Sequence, residues 1–196
     1  MRVITQDKLL HGLSLIILFL VAAFPALYHG IFRDALANAD MDIVAVYQAL
    51  LIIAGEPLVP NSHPGFAYFI SLAGWLKVFD WLNLISVVDI ESLKVSTNFN
   101  ENFAQIIVAG RLFSIFLACI FTSLVYTSVW SFHPHRVQAL LLCLALIIGG
   151  GGLPAQSVMM RTELPSMILV LSTGLAILRA TRVNYTQSMG LLLLAG

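Results

Sequence analysis

The chain has 196 residues, of which 59% are hydrophobic and 10% charged, with a mean hydropathy of +0.92. A water-soluble globule of this size could not hide that much apolar side chain in one core, so lipid must be the solvent for much of the surface. Lys and Arg balance Asp and Glu to a formal charge of zero, which removes the basic excess expected of a nucleic-acid-binding protein.

The first apolar run is residues 9–28, LLHGLSLIILFLVAAFPALY, with Arg2 and Lys8 ahead of it. It is too long for the apolar part of a cleavable signal, contains His11 and Pro25, and lacks a small-residue cleavage site. It therefore reads as a transmembrane helix with the amino terminus in the cytoplasm. Cys119 and Cys143 fall in later apolar runs without CxxC or Cys/His spacing, and read as buried structural residues.

Further apolar runs occupy 64–88, 105–130, 137–153, 164–178 and 189 to the end. The connections SFHPHR (131–136) and RATR (179–182) are basic without acids, so both belong in the cytoplasm with Arg2 and Lys8. A full span at 64–88 would put SFHPHR outside. That run is therefore expected to lie along the outer surface or to re-enter, which leaves every acidic residue except Asp7 outside.

The expected fold is all-α, a polytopic transmembrane helical bundle with external juxtamembrane helices. Its spans are 9–28, 105–130, 136–153, 164–178 and 186–196 onward, and the segment 29–104 forms an external loop with surface helices. Such a long connection is usually functional. Within it MDIVAVYQALLIIAG and GFAYFISLAGWLKVF suit helices at the interface, anchored at headgroup level by Tyr47, Tyr68, Trp75 and Trp81. The glycine run 149–152 closes the third span, and no Lys-Ser/Thr follows it as in a phosphate loop. The final GLLLLAG stops without flanking charges, so the module is expected to be truncated there.

The chemistry-bearing residues cluster in the external segment. Asp34, Asp40 and Asp42 immediately precede an apolar helical stretch, where carboxylates can cap free amides or, facing a cavity, take a proton or hold a cation. Glu163, beside Arg161, stands at the external mouth of the fourth span, either as a helix-start carboxylate or as a second acid for the same site. His63 precedes Pro64 and Gly65; the proline suits a helix start, and the imidazole could meet a lipid phosphate. Across the membrane, His133, His135 and Arg136 read as headgroup contacts. No G-x-S-x-G, H-E-x-x-H or dinucleotide glycine pattern is present.

In order and spacing, five features resemble the amino-terminal part of integral-membrane glycosyltransferases of the C superfamily, the branch with protein O-mannosyltransferases and lipid A aminoarabinose transferases. They are Asp40 opening the first outer loop, A-L-L-I-I-A-G-E-P-L-V-P (49–60), H-P-G (63–65), G-R-L-F-S (110–114) and Glu163. The resemblance implies transfer of a sugar from a polyprenyl-phosphate donor to an acceptor protein, lipid or glycan on the external, periplasmic or lumenal face. It makes Asp40 the general base, with Asp42 in reserve, and His63 the contact to the donor phosphate. Glu163 becomes the second acid, positioning substrate or, with Asp40, a divalent cation such as Mg or Mn. Arg161 and Tyr47 complete the substrate-binding set, and membrane lipids are the remaining partners. Met41 stands where the family has a second acid, and Gly65 where it has a second proline. A transporter or non-catalytic scaffold is the alternative class; acids at the outer boundary and the lack of an internal repeat weigh against it.

Overall fold

The longest apolar run folds as the longest helix, and the other elements pack along it. The structure is a computed structural model that describes residues 2–34, 42–59, 65–86, 88–132, 135–149, 153 and 160–182. In chain order the helices are α1 (Arg2–Pro25), α2 (Asp42–Ala54), α3 (Phe66–Trp81), α4 (Ile90–Val95), α5 (Phe99–Phe132), α6 (Arg136–Gly149) and α7 (Glu163–Arg182). Among the described residues there is no strand.

Three helices are long and apolar enough to cross a membrane: Leu9–Tyr28, Phe99–Ser131 and Glu163–Thr181. They match the first, second and fourth expected spans, although α5 starts six residues earlier than the sequence suggested. Its 34 residues make it about 51 Å long, well beyond the hydrocarbon core. The third expected span is represented by α6, whose 14 residues extend about 21 Å, and the span's residues 150–152 lie outside the described residues. The expected span at 186–196 lies outside the described residues.

Burial separates the roles of the long helices. The apolar window of α5 is 61% buried inside the protein, whereas that of α7 is 17% buried, so α5 is the central mast and α7 an outer helix. Leu169 and Val170 on α7 are among its exposed apolar side chains, an arrangement that suits a lipid environment. Along α5, Thr122, Ser123, Thr127, Ser128 and Ser131 each donate to the carbonyl four residues earlier, which keeps every one of these hydroxyls satisfied without water.

The amino-terminal half of α5 carries a core built with α2, α3 and α4, including Val46, Tyr68, Leu72, Leu76 and Ile106. The carboxyl-terminal half packs against α1 and α6 through Leu18, Tyr126, Ala139 and Cys143. The segment 29–104 does contain short helices, as expected. Two of its expected headgroup anchors point inward instead: Tyr68 is 1% exposed and shares a hydrogen bond with Ser114 of α5 (3.2 Å), and the Trp75 indole donates to the Ala109 carbonyl (2.9 Å). A phenol or indole tip that finds a partner inside the protein has no need of the headgroup layer. Tyr47 and Trp81 remain exposed.

The first core is closed off by local devices. Gly55, at φ +75°, ends α2 with the bonds Glu56 N–H to Leu51 and Gly55 N–H to Ile52, a Schellman ending. The buried Gln48 side chain then clamps Val59 through both its amide atoms (2.7 and 3.2 Å). Asp89 caps α4 by accepting from the amides of Ser92 and Glu91, both at 3.0 Å; a hydrogen bond from the Ser92 side chain, and after it these two amides, hold its carboxyl below the usual range.

Candidate functional site

The site starts where α1 fails to continue. Pro25 lacks an amide hydrogen and crowds the carbonyl of the preceding turn, and the helix widens after it into a π turn, Ala26–Gly30. Ile31 N–H reaches back to Ala26 (2.7 Å) and Arg33 N–H to Gly30 (3.2 Å), and the chain then leaves the helix with several carbonyls turned toward α5.

Arg111 of α5 reaches four of the carbonyls there. Its Nη1 donates to the carbonyls of Gly30 (3.1 Å), Ile31 (3.3 Å) and Arg33, and its Nη2 to that of Asp34 (3.3 Å). The guanidinium thus lies at the negative end of a helix dipole, with five donors fixed in one plane. Only 2% of its side chain is exposed, and its counter-charge is Asp42, 1% exposed, at the start of α2. Nε (2.9 Å) and Nη2 (2.8 Å) both bond Asp42 Oδ2, leaving Oδ1 to accept the amide of Met160 (3.0 Å).

Two glycines permit the approach of the 160–163 segment. A Cβ on Gly110 would stand 2.5 Å from the Met160 sulfur, and one on Gly65 would stand 2.6 Å from Thr162 Cγ2. Residues from four separate stretches therefore meet at one end of the bundle: 30–34, 42, 65 and 160–162. Below them Tyr68 bonds Ser114; burial pushes its phenol above the ordinary value of 10.0, the Ser114 bond opposes this, and the Asp42 charge adds to the rise.

Beside the ion pair opens a cleft of 650 Å³, lined by Phe32, Arg33, Asp34, Phe99, Phe103 and Arg111 among others. Its wall is mainly apolar, with Phe99 and Phe103 stacked at 5.7 Å, and charged groups stand at one end. The volume is that of a small-molecule site.

No family model, curated protein or solved structure matches this chain. The site residues expected from sequence fare as follows. Asp42 is buried with both oxygens engaged, the behaviour of an anchor rather than a proton acceptor. Glu163 is exposed on the first turn of α7, Arg161 is half-buried just before it, and Tyr47 is exposed on α2. Asp40 and His63 lie outside the described residues. Among the described residues no group of three or more His, Cys, Asp or Glu side chains is placed to hold a metal ion.

The residue missed by sequence reasoning is Arg111, present in G-R-L-F-S but given no role. A signal was available. An arginine inside an apolar run is costly in lipid and demands a partner, and an acid just ahead of a nearby apolar helix is the natural one.

Proposed function

We propose that this chain is a membrane module of a glycosyltransferase that moves a sugar from a polyprenyl-phosphate donor to an acceptor on the external face. One convergence supports the reading: Asp42 accepts the Met160 amide while Gly65 packs on Thr162. Asp42 is two residues from Asp40, Gly65 two from His63, and Thr162 is next to Glu163. The three stretches that carry the expected site residues thus have neighbours in direct contact.

With Asp42 held by Arg111, Asp40 is the carboxylate left for chemistry in D-M-D. It takes the proton of an acceptor hydroxyl or amine as that atom bonds to the anomeric carbon; the bond from this carbon to the phosphate oxygen breaks, and the electron pair leaves with the phosphate. His63 supports the phosphate, while Arg161, two residues before Glu163, and Tyr47, on the helix that Asp42 opens, orient donor or acceptor. The apolar wall of Phe99 and Phe103 suits the first isoprene units. Two carboxylates are hard oxygen donors of the kind Mg or Mn takes, so Asp40 and Glu163 would hold such an ion and offset phosphate charge.

The test is sugar transfer from a polyprenyl-phosphate donor by Asp40→Asn and Glu163→Gln in the membrane-embedded protein. Loss of turnover in both, with folding retained, carries the proposal. Full activity in both ends it and leaves the scaffold reading.

A further inference from the structure

A second polar cluster lies toward the other end of α5. Tyr126 and Trp130 stand about 22 Å and about 28 Å further along the helix than Arg111, close to the thickness of a hydrocarbon core. They meet His11 of α1 and Arg136 of α6. The His11 ring lies 5.4 Å from that of Tyr126 and 4.8 Å from that of Trp130, and the Arg136 guanidinium sits 4.9 Å over the Trp130 ring.

The cluster grades from inside to outside: Tyr126 is fully buried, whereas Trp130 and Arg136 are half-buried. Its inner groups are not satisfied by the protein. The Tyr126 hydroxyl and His11 Nδ1 are both buried without a hydrogen-bond partner, in a chain that otherwise pairs its intramembrane hydroxyls with care. A phenol, an imidazole N–H and a guanidinium can all donate, and the guanidinium is a permanent cation. Donors plus positive charge beside a Trp at interface depth specify an anionic oxygen ligand at headgroup level.

We propose that His11, Tyr126 and Arg136, with Trp130 as the platform, form a phosphate-binding site in the leaflet opposite the Asp42–Arg111 pair. Its ligand is the phosphate of a membrane phospholipid or free phosphate, the two sources sharing one chemistry. The proposal depends on the chain being embedded in a bilayer, and not on glycosyl transfer.

The experiment follows the melting temperature of the full chain in detergent with dioleoyl-phosphatidylglycerol, with dioleoylglycerol, which has the same chains and no phosphate, or with inorganic phosphate. The phospholipid is expected to raise the midpoint by about 4 °C or more and dioleoylglycerol to leave it unchanged. Tyr126→Phe and Arg136→Gln should each lose the shift. Without lipid, Tyr126→Phe should melt at or above the parent, because it no longer buries an unpaired hydroxyl. A shift with inorganic phosphate alone, abolished by both variants, supports the site and assigns it to the soluble anion. No shift in the parent, an equal shift in both variants, or a lower melting point of Tyr126→Phe in plain detergent overturns the proposal.

Discussion

Arg111 and Asp42, 69 positions apart in sequence, form a buried ion pair in which one carboxylate oxygen takes two N–H groups and the other takes the Met160 amide. Each partner also serves a backbone segment: Arg111 caps the carbonyls that leave α1, and Asp42 ties down the approach to α7. The pair therefore acts as a joint between α1, α2, α5 and the start of α7, and the cost of breaking it depends on which side is removed.

Removing either partner strands the other charge in the interior, which costs about 3–5 kcal/mol. Arg111→Met should be the worse of the two single changes, since it also takes the guanidinium donors from the carbonyls of Gly30, Ile31, Arg33 and Asp34, whereas Asp42→Asn can still accept from Met160. Arg111→Lys should not rescue, because a point charge with three donors cannot reach both the carboxylate and the fan of carbonyls. The double variant Asp42→Asn with Arg111→Met should fall well short of the summed single losses in a denaturation cycle. Additive losses would mean that the pair carries no coupling.

The same pair shows what the sequence could and could not reveal. Composition and the long apolar runs disclosed the helical, membrane-seeking class and the positions of α1, α5 and α7, because a span is a local property of about 20 residues. The joint itself is non-local: nothing in D-M-D marks Asp42 as an anchor, and only the contact to Arg111, 69 residues away, does so. Likewise Tyr68 and Trp75 look like interface anchors until their partners on α5 are known. In a helix that is apolar on every face, as α3 is, periodicity gives no inward direction.

Gly110 offers a test whose sign is informative. In an open helix Gly→Ala stabilises by about 1 kcal/mol through lost backbone entropy. At Gly110 the new methyl meets the sulfur of Met160, which is 0% exposed and has little room to yield, so Gly110→Ala should destabilise by about 1–3 kcal/mol. Gly12→Ala and Gly174→Ala meet nothing within 4 Å and should be neutral or stabilising. Thermal unfolding of the three variants side by side decides the matter; a stabilised Gly110→Ala would show that the 160 segment is loosely held.

Tyr68 should resist alkaline titration. Its phenol is raised above 10.0 by burial, so the stability it contributes is fully present below pH 10 and is lost only as pH rises toward its higher folded value. Absorbance of phenolate across an alkaline titration should show one of the five tyrosines ionising late, together with loss of helix. Tyr68→Phe should remove that late step and cost about 1 kcal/mol, the worth of the Ser114 bond. A Phe variant with an unchanged titration would mean that another tyrosine is the protected one.

The separation of the two polar clusters along α5 predicts a sidedness that labelling can read. Glu163 starts α7 beside the Arg111 end, and His135 lies next to Arg136 at the Trp130 end, about 28 Å away along the mast. Both positions are exposed. With Cys119 and Cys143 replaced by Ala, single cysteines at 163 and 135 should react with an impermeant maleimide from opposite sides of sealed vesicles. The positive-inside rule puts 135 on the cytoplasmic side, with Arg136, and 163 outside with the acids. Labelling of both from the same side would mean that α5 does not cross the bilayer between its two clusters, and with that the proposal that Asp40, His63 and Glu163 share an external face would lose its physical basis.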